Sequence, residues 1–312
     1  MEIIKMKEDK NNQFLTQMHT FVKVLITAIE TRTPYNANHT KNMVQYASNY
    51  LDWLEKQGRL GEDHCLNRDP IIMSIWLHDI GKLVIPREIM DKSTRLGAGI
   101  DDIRHRIEVS KLVAKVDCLE NRIDESELRE YLMSLDAAFR FIDKIDKMEH
   151  LTDEMIEQVS KIAKIQCKKA DGTVIKFLEE NELSALSLKN GTLTKEEREV
   201  IKSHVSHTKD MLDAVSFTGQ YKNVPEWASR HHEFLDGSGY PEGLKAEDLA
   251  WETRLLTILD IFDALTAEDR PYKTPHTPST AFEIMRNMVS EGKIDGDILE
   301  DLYKSRAWEL DD

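Results

Sequence analysis

An almost all-α protein carrying an inserted helical segment is what this sequence predicts, on three observations. Glycine and proline, the residues that interrupt helices, number only 13 and 8 in 312 residues. Leu, Glu, Lys and Ala, all good helix formers, dominate the composition. Apolar residues recur at three- and four-residue spacing through most of the chain, the period of a helix with one buried face. With 40% hydrophobic content the chain is long enough for one large core or two smaller ones.

The elements follow in order. Residues 1–13 are polar and read as a flexible N-terminus, and helical spacing then supports helices near 14–31 and 38–56. A loop containing Gly58 and Gly61 precedes Asp69 and Pro70, a cap and first-turn proline for a helix running through Ile71, Ile72, Ile75, Trp76 and Leu77. Its last turn carries His78 and Asp79, just before Gly81. From 93 to 190 the sequence turns into charged amphipathic helix, as in Leu128 to Ile145 and Met155 to Ile165, without a convincing repeat. This stretch is expected to be a helical insertion, serving either as a dimerisation or regulatory element or as a covering layer. Thr194 and Glu197 form a capping-box pattern opening a helix that contains His204. Further helices are expected at 224–233, 251–267, 279–290 and 295–307.

Composition excludes several classes. Asp and Glu exceed Lys and Arg by 57 to 42, a net charge of −15 that repels long polyanions and disfavours nucleic-acid duplexes. A small phosphate ester stays compatible, because bound cations reverse the potential locally. The three cysteines, Cys65, Cys118 and Cys167, are odd in number and widely spaced, which argues against a disulfide framework or a thiolate zinc site. Phe21 to Ile29, the most apolar N-terminal stretch, contains Lys23 and ends at Glu30, so neither a membrane span nor a signal peptide is expected. A cytoplasmic location fits best.

The chemistry concentrates in three short motifs, HDIGK at 78–82, HHEFLDGSGYP at 231–241 and DIFDALTAEDRPYK at 260–273. They supply His78, Asp79, His231, His232 and Asp260, beside a cluster of cations. Successive residues on a helix diverge by about 100 degrees, so His78 can serve one metal while the two oxygens of Asp79 reach a second. Imidazole and carboxylate donors without thiolate suit iron, manganese or zinc.

These residues resemble the HD superfamily of phosphohydrolases, and within it the HD-GYP branch, whose signature is matched by Gly239, Tyr240 and Pro241. TPYNANHT at 33–40 is similar to the family's first histidine segment, and GTLTKEEREVIKSHVSHT at 191–208 to its middle histidine helix. The resemblance implies a discontinuous catalytic domain over 14–92 and 191–312, an HD-domain helical bundle interrupted by the 93–190 insertion. It implies metal ligands at His39, His78, Asp79, His204, His231, His232 and Asp260, with His204 favoured over His207, which shares its face. Asp263 is expected to orient a ligand imidazole or cap a loop, and Glu233 to do likewise or to form an exposed salt bridge. Lys82 is expected to assist catalysis with Asp79 by neutralising a phosphate oxygen, unless it is a surface lysine. Arg270 and Lys273 are candidates for a second phosphate, or for helix-end capping. Gly239 and Pro241 shape a tight loop, and Tyr240 either stacks on a base or packs that loop.

Tyr35 stands where some family members have a third-metal glutamate, so two divalent ions are expected, iron or manganese before zinc, nickel or magnesium. Asn38 and Thr208 replace commonly found glycines, and His105 and His150 read as ordinary surface or core histidines. The implied activity is hydrolysis of a cyclic dinucleotide, chiefly cyclic di-GMP, by a hydroxide that two metals activate. The alternatives are another nucleotide or phosphate ester as substrate, or a sensor that binds a cyclic dinucleotide without cleaving it. The insertion is the candidate element for a homodimer.

Overall fold

The computed structural model describes residues 20, 22–27, 38–59, 67–267 and 275–310. The expected flexible residues 1–13, together with Tyr35, Cys65, Arg270 and Lys273, lie outside the described residues. The chain divides into two compact units, one made of residues 1–85 with 200–312 and the other of residues 86–199. The described elements are helices apart from one two-stranded hairpin. None of these helices is long and apolar enough to cross a membrane.

In the first unit the helices His39–Lys56, Arg68–Leu77 and Trp251–Thr266 pack around one core. The faces they bury carry Met43, Tyr50, Leu51, Ile71, Ile75, Leu255, Leu259 and Phe262, all at most 1% exposed. Pro278–Ser290 and Gly296–Ser305 close this core with Phe282, Met285 and Leu302. Thr277 caps the former, with Pro278 at its first position, as its sequence predicts. A second, smaller cluster gathers Val22, Ile26, Met73, Leu77, Leu212, Val224 and Ala228.

Three expected helices end early. Arg68–Leu77 stops before His78, and a 3₁₀ turn, Ile80–Val84, follows Asp79. The helix opened by Thr194 ends at Lys202, and a new one, His204–Asp213, begins two residues on. The capping box itself is formed, with the Thr194 hydroxyl 3.2 Å from the Glu197 amide and the Glu197 carboxylate 2.8 Å from the Thr194 amide. The break falls where Ser203 Oγ donates to the Val200 carbonyl at 2.6 Å, a side-chain bond that competes with the backbone ladder. Likewise Val224–Ser229 stops short of His231 and His232.

The second unit holds the long helices Gly99–Leu119 and Glu125–Asp146, the shorter Asp153–Ile162 and Glu180–Leu186, and a core around Ile103, Leu135, Ile142, Val159 and Phe177. Asp124 and Glu127 form a full capping box. Arg95, fully buried, donates to the carbonyls of Met148, Glu149 and Leu188 and thereby ties the two ends of this segment together. Strands Gln166–Lys168 and Val174–Lys176 pair antiparallel, with Cys167 opposite Ile175. This hairpin departs from the expected continuous helix. Its turn holds Asp171-Gly172, with Gly172 at positive φ, a hairpin signal within a run otherwise read for helical period.

Candidate metal centre

The ligand-type residues come from the ends of helices in the first unit. His78 follows the last residue of Arg68–Leu77, His204 opens His204–Asp213 just after Lys195–Lys202, and His231 lies two residues beyond Val224–Ser229. The last turn of a helix leaves carbonyls without intrahelical partners. His78 Nδ1 lies 2.7 Å from the Ile75 carbonyl, His204 Nδ1 2.7 Å from that of Ile201, and His231 Nδ1 2.7 Å from that of Ala228. A carbonyl only accepts, so Nδ1 carries the proton in each ring and Nε2 presents its lone pair. One bond therefore both satisfies the helix end and sets the tautomer a metal ligand needs.

His39 is placed differently. It is the first residue of His39–Lys56, where backbone donors are free and carbonyls are not. Its Nδ1 meets the carboxylate of Asp263, at 2.7 Å, and its Nε2 lies 3.3 Å from Asp260 Oδ1 and 4.0 Å from Asp79 Oδ2.

Two groups of three donors result, His39 with His78 and Asp79, and His204 with His231 and His232; within each, the candidate ligand atoms lie within 4.8 Å of one another. Asp79 lies near both, its Oδ2 3.3 Å from His78 Nε2 and its Oδ1 3.3 Å from His204 Nε2. Asp260 also reaches both, through His39 and, at 3.8 Å, His232 Nδ1. All seven expected ligands are thus brought together, and His204 rather than His207 supplies the middle ring.

The donor set fits divalent ions. His78 Nε2, Asp79 Oδ1 and His204 Nε2 are buried without a hydrogen-bond partner, an arrangement that is costly unless something else fills their valence. The charge states agree. Burial, resisted by Asp79, pushes His204 down to about 4, and burial holds His231 and His232 below the ordinary imidazole value, so these three rings are neutral donors near pH 7. Burial would raise the Asp79 carboxyl, but His78 and Lys82 outweigh it and hold it well below the usual range. For Asp260, His39 and His232 likewise overcome burial. His39 is the exception: burial opposes its charge, yet Asp260 and Asp263 push it up to about 10, so its Nε2 carries a proton that an incoming ion must displace.

Lys82 pairs with Asp79, and its ammonium therefore lies beside the cluster. Tyr240 stacks on His232, with ring centroids 4.8 Å apart and planes 27° apart, and Lys202 lies over the same tyrosine at 5.4 Å. The Tyr240–Pro241 bond is cis. Gly239 passes so close to its own chain that an added Cβ would lie 2.4 Å from Phe234 N and 2.6 Å from the His232 carbonyl. Glu233 forms no exposed salt bridge and orients no imidazole. Buried, it accepts the amides of Glu242, Gly243 and Leu244 at 2.6, 3.1 and 3.0 Å, and so fastens the loop after Pro241.

Thr208, in place of the usual glycine, links two segments. Its hydroxyl donates to the His78 carbonyl at 2.9 Å and accepts the Gly81 amide at 3.0 Å. Sequence reasoning missed Asn42 and Tyr46, which hold Asp263 Oδ1 at 3.0 and 3.4 Å. Their only signal was a polar Asn and a Tyr hydroxyl at helical spacing from His39.

Residues 181–298 match the model of the HD domain family. Over 117 residues the chain is 37% identical to 3'3'-cGAMP-specific phosphodiesterase 1 of Vibrio cholerae, covering 38% of this chain and 26% of that protein. It is 40% identical over 95 residues to the cyclic di-GMP phosphodiesterase response regulator RpfG of Xanthomonas campestris pv. campestris, covering 30% and 24% respectively. Over 101 residues it is 37% identical to a cyclic di-GMP phosphodiesterase of Thermotoga maritima, covering 32% and 27%. The chain thus spans about a quarter of the length of these curated relatives. Residues 181–298 are thus similar to an HD domain. Its Gly239-Tyr240-Pro241 signature and these relatives make the chain similar to the HD-GYP branch.

Proposed function

We propose that the protein is a phosphodiesterase that opens a cyclic dinucleotide, cyclic di-GMP before others, with two divalent ions per chain. The observation that carries this reading is the convergence of two three-donor groups in which His78 Nε2, Asp79 Oδ1 and His204 Nε2 are buried without a hydrogen-bond partner. His39, His78 and Asp79 would hold one ion and His204, His231 and His232 the other, with Asp260 reaching towards both. Iron or manganese suits this nitrogen and oxygen set best, and zinc, nickel and magnesium are the remaining choices. Such ions supply Lewis acidity and an activated water for in-line attack on phosphorus.

The chain's own residues orient the reaction. Lys82, held by Asp79, keeps a positive charge where a phosphoryl oxygen would develop negative charge. Gly239 and Pro241 bring the loop backbone alongside the cluster, and Tyr240 offers a ring for stacking against a base. Arg270 and Lys273 take the second phosphate of the substrate in this proposal. The relatives named for cyclic di-GMP and for 3'3'-cGAMP support the substrate class. Leu112, Val116 and Leu119, exposed at helical spacing on one helix of the 86–199 unit, support a homodimer formed through it.

The test is metal analysis of anaerobically purified protein, followed by chromatography of products from cyclic di-GMP and 3'3'-cGAMP, with Asp79→Ala as control. Two metals and linear dinucleotide or mononucleotide, absent with Asp79→Ala, are expected. Metals without turnover of either substrate would redirect the reading to another phosphate ester or to a sensor, and three metals per chain would overturn the two-metal assignment. Light scattering on Leu112→Glu/Leu119→Glu, expected to be monomeric, tests the dimer.

A further inference from the structure

The buried histidines of the centre are not oriented alike. His78, His204 and His231 each donate Nδ1–H to a neutral backbone carbonyl at 2.7 Å. His39 alone donates to a carboxylate, that of Asp263, at the same 2.7 Å. Asp263 is 1% exposed and carries its charge between three donors, the His39 ring, Asn42 Nδ2 at 3.0 Å and the Tyr46 hydroxyl at 3.4 Å. A carboxylate behind an imidazole raises its basicity, and loss of such a partner typically costs 10–100-fold in metal affinity. The two donor groups also differ in exposure: His39, His78 and Asp79 are all buried, whereas the His232 side chain is 27% exposed.

We infer that the two metal positions are unequal, the ion at His39, His78 and Asp79 being retained and the ion at His204, His231 and His232 being exchangeable, with Asp263 as the positioning residue that sets the difference. This rests on the two-metal reading above. It makes occupancy of the position at His204, His231 and His232 the step that responds to free metal.

The experiment is stepwise titration of the metal-free full chain with Mn²⁺, read by calorimetry and by the paramagnetic signal of the unbound ion. Wild-type protein should take up two ions in steps that differ by about ten-fold or more. Asp263→Asn, which keeps shape and an acceptor oxygen but removes the charge, should weaken the tight step by about 10–100-fold and leave the weak step in place. His232→Ala should remove the weak step only. Tyr46→Phe keeps the ring in the core and removes one donor to Asp263, so it should weaken the tight step by a smaller factor even if Asp263→Asn does not fold. Two equal steps in the wild type, or an unmoved tight step in whichever of Asp263→Asn and Tyr46→Phe folds, would overturn the inference while leaving the phosphodiesterase reading standing. No uptake of Mn²⁺ by the wild type would overturn both.

Discussion

Gly81→Ala is the smallest change expected to dismantle the centre without touching a ligand. Gly81 lies in the 3₁₀ turn Ile80–Val84, pressed against the start of His204–Asp213. A Cβ there would lie 2.0 Å from the His204 carbonyl oxygen, 2.5 Å from Thr208 N and 2.9 Å from Thr208 Oγ1. Ordinary contact starts at 3.4 Å, so 1.4 Å must be made up against backbone, which does not swing aside as a flexible side chain does. Overpacking of this kind costs about 1–3 kcal/mol. Parting the segments also breaks the Gly81 to Thr208 and Thr208 to His78 bonds, at about 1–3 kcal/mol for each buried group left unpaired. A loss of about 3–9 kcal/mol follows, a large share of the roughly 5–15 kcal/mol that holds a domain folded. Because Asp79 lies between His78 and this turn, the ligand moves with it, and a misplacement of about 1 Å costs on the order of 100-fold in rate. Urea denaturation, metal content and product formation measured on the same preparation check the argument. A denaturation free energy within about 0.5 kcal/mol of wild type, with full metal content, would refute it.

Two further outcomes follow from neighbouring contacts. Glu233→Gln keeps the side-chain shape but replaces a charged acceptor of three amides by a neutral one, so a loss of about 2 kcal/mol in denaturation and a raised KM for substrate are expected. In metal-free protein, His204 has a folded value of about 4 against an unfolded value of 6.5, the sign of a group that resists protonation only while folded. Its contribution is present above pH 6.5 and is lost as pH falls from there through about 4. At 1.36 kcal/mol per pKa unit it amounts to roughly 3 kcal/mol. His39, pushed up to about 10, opposes this loss down to about pH 5.5, where the unfolded ring too becomes fully protonated, and adds no slope below that. Thermal melts of chelator-treated protein should therefore fall between about pH 5.5 and pH 4, and a flat profile there would contradict the burial assigned to His204.

Much of the centre was legible because its residues cluster in short motifs. HDIGK, HHE with GYP, and the Asp260 segment hold residues that the fold brings together, and His204, preferred by register to His207, lies in that cluster. Long-range partners were not legible. Asn42 and Tyr46 follow His39 at spacings that also describe an ordinary core face, and only the fold brings Asp263, more than 200 positions away, between them. Glu233 reads as a surface charge next to two histidines, yet the loop after Pro241 returns so that three amides point at it. Helical period also hid the hairpin at 166–176, since its strands are three residues each, too short for alternation to outweigh the surrounding pattern.

The interrupted helices show why ligands lie at element ends. Ile75, Ile201 and Ala228 belong to the last turns of Arg68–Leu77, Lys195–Lys202 and Val224–Ser229, and their carbonyls would face a buried interior unpaired if the helices simply stopped. The ligand imidazoles take those carbonyls, so His78, His204 and His231 act as C-terminal caps even before a metal binds. His39, at a helix start, has no such carbonyl and depends on a buried charge instead. The two kinds of anchoring should separate in metal-free protein. Breaking a neutral bond, as in His78→Asn, should cost about 1–2 kcal/mol. His39→Asn, which removes the Nδ1–H partner of a buried carboxylate, should cost about 3–5 kcal/mol. Equal losses in chelator-treated denaturation would mean that Asn42 and Tyr46 alone suffice to hold the Asp263 charge.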